Sequence, residues 1–149
     1  MNEQRKLAAI LSADAVGYAR LMAMDEAGTL ARLKAHRAEV IDPAIAKNRG
    51  RLVKTSGDGM LVEFASAVSA LDCALEIQRR MSRRNADLPE DRRLLLRIGI
   101  NIGEIIVDGD DIHGDGVNLA ARLQALAAPG GINVSADAHG QLKGKTEAS

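Results

Sequence analysis

Residues 51–64, RLVKTSGDGMLVEF, decide what kind of sheet this chain forms. Two short runs, RLVKT and MLVEF, flank the four residues Ser56-Gly57-Asp58-Gly59. Because glycine accepts the backbone conformations of a tight reversal, the stretch predicts a β-hairpin. Antiparallel pairing of neighbouring strands is therefore the starting point of the fold.

The chain before this hairpin has the periodicity of one strand followed by helix. The apolar run LAAILS, residues 7–12, predicts a buried strand that ends in Ala13-Asp14. A helical pattern then runs from about Asp25 to Asn48. Pro43 is expected to bend or break that helix, and Gly50 is expected to close it.

The chain after the hairpin continues to alternate between helix and strand. We expect a helix over residues 67–86, a strand pair LLLRIGINIG and EIIVDG, a helix over 115–127, a strand INVSA and a weak final helix DAHGQL. The resulting order, βααββαββαβ, predicts an α+β fold with helices on one side of a sheet. Lys143-Gly144-Lys145 is interpreted as a solvated turn.

Composition limits the class of protein. The 149 residues, 46% of them hydrophobic, suit a single core, and 20 basic against 20 acidic residues argue against a nucleic-acid surface. Arginines 79, 80, 83 and 84 are interpreted as the solvated face of a helix. The one cysteine, Cys73, excludes a disulfide framework and favours the cytoplasm. No run of about 20 apolar residues occurs, so we expect no membrane insertion in this segment.

A second informative stretch is residues 109–126, GDDIHGDGVNLAARLQAL, where Asp111, Asn118 and Arg122 stand at intervals of seven and four. The second interval is about one helical turn, so the amide and the guanidinium share a helix face and can reach one phosphate ester together. Asp110 competes with Asp111 for the acidic role, and the seven-residue interval to Asn118 favours Asp111.

Two further acids are candidate metal ligands. Asp14 ends the first strand and Asp58 lies in the hairpin turn, and neighbouring strands would bring both carboxylates to one edge of the sheet. Paired carboxylates suit a hard ion such as Mg²⁺ or Mn²⁺, and two such ions can hold a phosphoryl-transfer centre. The residues alone leave another interpretation open, in which Asp14 caps a helix starting near Ala15 and Asp58 fills a tight turn.

These motifs resemble those of the class III nucleotidyl cyclases, the adenylate and guanylate cyclase family. The resemblance covers nearly the whole chain. The positions that match the family's ordered motifs are Asp14, Gly17 and Tyr18; Lys54, Thr55, Gly57 and Asp58; Asp111, Ile112, Gly114, Val117, Asn118, Ala120 and Arg122; and the strand Ile98 to Asn101. The resemblance implies a ferredoxin-like or palm-type fold with a mixed, mainly antiparallel sheet. It identifies residues 1–149 as one catalytic domain.

The resemblance also implies a role for each matched residue. Asp14 and Asp58 would bind two divalent metal ions, Mg²⁺ or Mn²⁺, with a backbone carbonyl near Ala15 as a further ligand. Lys54 and Asp111 would read the purine, and a cation donor beside a carboxylate acceptor matches adenine better than guanine, so ATP is the expected substrate. Asn118 would position the ribose, and Arg122 would neutralise charge on the α-phosphate.

The implied reaction is attack of the ribose 3′-hydroxyl on the α-phosphorus, which yields 3′,5′-cyclic AMP and pyrophosphate with metal assistance and no dedicated general base. The active form implied is a head-to-tail homodimer in which each site is shared by two protomers. Domains of this family normally continue into a C-terminal β-hairpin, which we expect this chain to lack, and a C-terminal domain can be fused in the full protein.

Three other functions compete with an adenylate cyclase. The first is a catalytically silent cyclase-like module used for dimerisation or regulation, although all six candidate side chains are present. The second is a guanylate cyclase. The third is a diguanylate cyclase, which needs a Gly-Gly-Asp/Glu-Glu-Phe hairpin, whereas the turn here is Ser-Gly-Asp-Gly.

Overall fold

The computed structural model describes residues 4–142, which form one six-stranded sheet and its helices. The strands are β1 (Gln4–Ala15), β2 (Arg51–Ser56), β3 (Gly59–Phe64), β4 (Leu96–Asp108), β5 (Asp111–His113) and β6 (Ile132–Val134). The helices are α1 (Tyr18–Met24), α2 (Glu26–His36), α3 (Asp42–Lys47), α4 (Ala67–Asn85), α5 (Asp115–Leu126) and α6 (Ala136–Leu142), with a π-helical segment at Arg37–Ile41 and a 3₁₀ turn at Glu90–Arg92.

The sheet is mixed and mainly antiparallel, with the order β2-β3-β1-β4-β5 and with β6 parallel to β4. Its centre is the long pair β1 and β4, in register from Gln4 opposite Val107 to Ala15 opposite Leu96. The predicted hairpin is confirmed, because β2 and β3 pair antiparallel around the two-residue turn Gly57-Asp58. The predicted α+β class is also confirmed.

Helices cover both faces of the sheet, so the expectation of helices on one side is wrong. Alternate residues of β1 enter two separate apolar clusters, as strand geometry requires. Ala9 and Leu11 pack with residues of α1 to α4 and α6, whereas Ala8 and Ile10 pack with Ala120 of α5. We call the second side the α5 face. Its small cluster leaves part of the sheet open, and the candidate residues lie on this side.

The helical region before β2 differs from its prediction in how it bends and ends. Pro43 has no N–H, so the carbonyl of Glu39 lacks its helical donor, and Arg80 Nη2 donates to that carbonyl at 2.9 Å. The chain runs on through the π-helical segment rather than breaking. At the end, Arg49 takes the left-handed conformation (φ 61°), while a Cβ on Gly50 would lie 2.6 Å from the Phe64 ring.

Three further expectations changed or fell outside the described residues. The predicted strand pair at residues 94–109 is one continuous strand, β4, and the short β5 that follows it was not predicted. Arg80 and Arg84 are not free solvated side chains, because both bond to the π-helical segment at Glu39. The turn expected at residues 143–145 lies outside residues 4–142. Within those residues, no helix has the length and apolar character needed to cross a bilayer.

Candidate active site

The two candidate metal ligands lie side by side at one end of the β1–β3 pair. Asp14 is the penultimate residue of β1, and Asp58 lies in the turn before β3. The Asp58 carboxylate accepts a hydrogen bond from the backbone N–H of Ala15 at 2.9 Å. This bond fixes the turn acid against the end of β1, immediately after Asp14.

The competing interpretation of Asp14 as a helix cap does not hold. The first helix starts at Tyr18, and its N-cap is Gly17 in the left-handed conformation (φ 68°), with no side-chain capping bond. Asp14 instead forms an ion pair with Arg97, its register partner on β4. Arg97 Nε and Nη2 donate to the two Asp14 oxygens at 3.2 and 3.0 Å.

The candidate purine-reading pair is in direct contact within one chain. Lys54 Nζ lies 3.1 Å and 3.3 Å from the two Asp111 oxygens. The Lys54 ammonium, and then the backbone N–H of Ile112, lower the pKa of Asp111, so the acid is held as a carboxylate. Of the two acids that competed for this role, Asp111 is the one whose side chain meets Lys54.

A β-bulge in β2 determines which face Lys54 occupies. Leu52 lies opposite Val62, but Lys54 lies opposite Leu61, so Val53 is an extra residue in the strand. Residues directly opposite in an antiparallel pair share a face, and Leu61 belongs to the cluster on the α5 face. An unbroken register would put Lys54 opposite Met60 and on the other face, away from Asp111.

Asn118 and Arg122 lie on α5, as predicted, one turn apart. The helix begins after Gly114, whose φ of 114° favours glycine, and Asn101 Nδ2 donates to the Gly116 carbonyl in the first turn at 3.1 Å. Both candidate side chains are exposed. Within residues 4–142 neither forms a hydrogen bond or ion pair, and neither touches the acids of its own chain.

The backbone of α5 packs very close to the backbone of the sheet. A Cβ on Gly99 of β4 would lie 2.3 Å from the backbone nitrogen of Gln124 and 2.4 Å from the carbonyl oxygen of Ala120. Ser12 Oγ of β1 also donates to Gln124 Oε1 at 3.2 Å. The position of Asn118 and Arg122 relative to β1 is therefore fixed by backbone packing.

The acids fit the chemistry of a hard divalent cation. Within the described part of the chain no three Asp, Glu, His or Cys side chains converge as a complete metal site. Mg²⁺ is commonly held by one or two carboxylates together with substrate phosphates, and two carboxylates are what this edge supplies. Asp14 and Asp58 would hold such an ion, with the nucleotide completing its coordination.

The sequence reasoning missed three arginines that bond either to an acid or to the backbone beside one. Arg97 holds Asp14, Arg51 Nη1 donates to the Asp110 carbonyl at 3.0 Å, and Arg37 Nη2 donates to the Gly57 carbonyl at 2.8 Å. Their partners are 20 to 83 residues away along the chain. Only the β1–β4 register could have revealed one of them, by placing Arg97 opposite Asp14.

Comparisons with known proteins identify the family of this chain. The family model for the adenylate and guanylate cyclase catalytic domain matches residues 1–149. A Rhizobium meliloti protein named "Putative adenylate cyclase 3" is 51% identical over 97% of this chain, and a Streptomyces coelicolor protein named "Adenylate cyclase" is 35% identical over 77%. The chain spans 24% and 29% of the lengths of these two curated relatives.

Solved structures show the same fold. The adenylate/guanylate cyclase/hydrolase from Silicibacter pomeroyi matches with a TM-score of 0.90 and 51% identity, covering 97% of this chain and 83% of the other. The adenylyl cyclase CyaB from P. aeruginosa matches with a TM-score of 0.82 and 25% identity, covering 96% and 83%. By sequence and by fold, this chain belongs to the class III adenylate and guanylate cyclase catalytic domain family.

Proposed function

We propose that this domain is an adenylate cyclase, which converts ATP to 3′,5′-cyclic AMP and pyrophosphate. The observation that carries the proposal is the contact between Lys54 and Asp111 on the α5 face. Adenine presents an acceptor ring nitrogen beside a donor amino group, and an ammonium beside a carboxylate complements both. Guanine presents the reverse order and would place donor against donor.

The roles proposed for the remaining residues are those that the family resemblance implies. Asn118 would hold the ribose, and Arg122 would meet the negative charge that builds on the α-phosphate during transfer. The 3′-oxygen bonds to the α-phosphorus, the bond from that phosphorus to the bridging oxygen breaks, pyrophosphate leaves, and the hydroxyl proton passes to solvent. Divalent cations held by Asp14 and Asp58, with Ala15 as a backbone ligand, would activate the hydroxyl and balance the charge on pyrophosphate.

The working form is proposed to be a head-to-tail homodimer. Its support is the exposure of Asn118 and Arg122, which leave their own chain's acids untouched. Two copies in a twofold arrangement would each supply one half of two equivalent sites. We place residues 1–149 in one catalytic domain and in the cytoplasm. The free thiol of Cys73 is consistent with that compartment. Burial raises the pKa of this thiol to about 12.

The decisive experiment measures the product formed from ATP or GTP with Mg²⁺ or Mn²⁺. We expect cyclic AMP from ATP and far less cyclic GMP from GTP. The double variant Lys54→Glu, Asp111→Cys should lose most of that preference. Lys47→Glu is the matched control. Lys47 lies on the opposite side of the sheet from the Lys54–Asp111 pair, where its Nζ lies 3.1 Å from Glu76 Oε1.

Each rival function predicts a different result. Folded wild-type protein that makes neither cyclic nucleotide would identify a silent module. Cyclic GMP as the main product would identify a guanylate cyclase. An unchanged ATP preference in the double variant would mean that the purine is read elsewhere.

A further inference from the structure

Arg97 connects the metal-binding edge to α5, and this inference rests on the proposed function. Its guanidinium uses three nitrogens, two on the Asp14 carboxylate and the third, Nη1, on the carbonyl of Ala125 at 3.0 Å. The side chains of Arg97 and Asp14 are 29% and 26% exposed, so the pair is partly shielded from water. Such bidentate pairs are geometrically specific.

A cation bound at Asp14 would meet this guanidinium. Carboxylate oxygens can accept more than one partner, so an ion can join the pair, but it would then lie close to a fixed positive charge. The repulsion between a divalent ion and a guanidinium at such short range is substantial even with solvent screening. We propose that Arg97 is a positioning residue that holds Asp14 while no cation is bound, and that its charge keeps cation affinity low.

The third bond gives Arg97 a second effect. Ala125 lies in the last turn of α5, where carbonyls have no donor within the helix, so Arg97 satisfies one that would otherwise rely on water. Arg122 lies one turn earlier on the same helix. The length of the Arg97 side chain thus lets it join the end of α5 to Asp14, while its charge repels the cation. Two substitutions, Arg97→Gln and Arg97→Lys, separate these two effects.

The first measurement is Mn²⁺ binding to nucleotide-free protein, from the EPR signal of the ion that remains free. Arg97→Gln removes the charge and should tighten Mn²⁺ binding by about tenfold. Arg97→Lys keeps the charge and should stay within about twofold of wild type. Asp14→Asn should weaken binding in either background. Arg5→Gln is the matched control, since Arg5 pairs with Glu104 near the other end of β1 and is 62% exposed.

The second measurement is amide hydrogen exchange across residues 123–127. Lysine cannot span the carboxylate and the Ala125 carbonyl together, so exchange should rise in Arg97→Lys and in Arg97→Gln, and not in Arg5→Gln. If Arg97→Gln does not fold, Arg97→Met keeps the apolar stem and takes its place in the Mn²⁺ titration, and Arg97→Lys still tests the α5 bond.

The proposal is overturned if removing the charge leaves Mn²⁺ affinity unchanged or lowers it, or if wild-type protein and all variants bind no Mn²⁺. Unchanged exchange in Arg97→Lys would overturn the positioning role. These failures are separable from failure of the proposed function. If wild-type protein cyclises ATP and Arg97→Gln binds Mn²⁺ no more tightly than wild type, only the inference is refuted. If Arg97→Gln binds Mn²⁺ more tightly but wild-type protein makes no cyclic nucleotide, only the proposed cyclase function is refuted.

Discussion

The turn that carries Asp111 is held by a second basic residue of β2, Arg51. Its Nη2 donates to Glu63 at 2.8 Å and its Nη1 donates to the Asp110 carbonyl. Glu63 is buried, and Lys6 also pairs with it. Burial alone would raise the pKa of Glu63, but its bonds to Lys6 and Arg51 bring the pKa below the ordinary value. A charged carboxylate therefore anchors the arginine that holds the purine-side turn.

Arg51→Met should raise the KM for ATP by about fivefold, with a smaller change in kcat. The expected size is that of one exposed charge-assisted hydrogen bond, worth about 1 kcal/mol. Steady-state kinetics with ATP and GTP measure the effect, and the ATP preference should fall as well. Arg5→Met is the control, because the Arg5–Glu104 pair does not touch this turn. Equal effects of the two substitutions would contradict a positioning role for Arg51.

His36 predicts how stability depends on pH. It is 5% exposed, its Nδ1 accepts from Arg84 Nε at 3.0 Å, and its Nε2 has no hydrogen-bond partner among the described residues. Burial first, and then the charges of Arg84 and Arg32, lower the pKa of His36 from 6.5. The unfolded chain therefore takes up this proton at higher pH than the folded one. Stability is full above about pH 6.5 and falls on acidification below it.

The measurement is the free energy of unfolding by denaturant between pH 7.5 and about 5. His36→Gln should reduce the fall in the free energy of unfolding over this pH range relative to wild type, because the buried imidazole that resists protonation is gone. His139→Gln, at an exposed histidine of α6, should keep the wild-type slope. Parallel curves for wild type and His36→Gln would show that other groups set the pH dependence.

At the scale of elements, β4 and α5 pack as one unit, because Gly99 has no side chain and the α5 backbone can contact the strand there. Gly99→Ala would put a methyl group into the backbone of Gln124 and Ala120, which cannot move as a side-chain tip can. We expect a destabilisation of about 1–3 kcal/mol and a loss of activity in protein that remains folded.

Thermal unfolding and the cyclisation rate measure the two effects of Gly99→Ala. Gly140→Ala in α6 is the matched control, because a Cβ there meets no atom within 4 Å and alanine favours helix. Activity at the wild-type level in folded Gly99→Ala protein would show that the exact seat of α5 does not matter for turnover.

Several elements followed directly from local patterns, and others depended on tertiary structure. The hairpin and α4 were predicted because turn glycines and helical periodicity act within a few residues. β4 was split into two strands because Gly103 interrupts its apolar run, although Gly103 pairs with Ala8 and the strand continues. The bulge at Val53 had no local signal, since it is set by pairing with β3. The acids were predicted from the resemblance of their motifs to the cyclase family, whereas Arg97, the partner of Asp14, lies on a strand 83 residues away along the chain.

At the scale of the whole molecule, one protomer presents two separate sets of candidate residues on the α5 face. Asp14 and Asp58 are fixed at the end of β1, and Asn118 and Arg122 project from α5 without touching them. We propose that a single substrate uses one set from each of two copies of the chain. Mixing two inactive variants and measuring the activity that returns tests this proposal directly.

Asp58→Ala and Arg122→Ala should each be inactive alone, and mixing them should restore activity. In a heterodimer one site receives both damaged halves and the other receives two intact halves, so activity should approach half that of wild type per heterodimer. Native mass spectrometry counts the heterodimers formed, and a mixture of Asp58→Ala with Asp14→Ala, which damages the same half, is the control. Heterodimers without turnover would argue against a shared site.

The central place of β1 has a consequence for how the chain folds. The strand lies between β3 and β4, and Ala9 pairs with Ile102, 93 positions later in the chain. During synthesis, one edge of β1 therefore has no partner until most of the described residues have been made. Pairing at such long separation is slow, and an unpaired apolar strand can associate with other chains. Yield should therefore depend on growth temperature and chaperone supply more than the stability of the finished sheet would suggest.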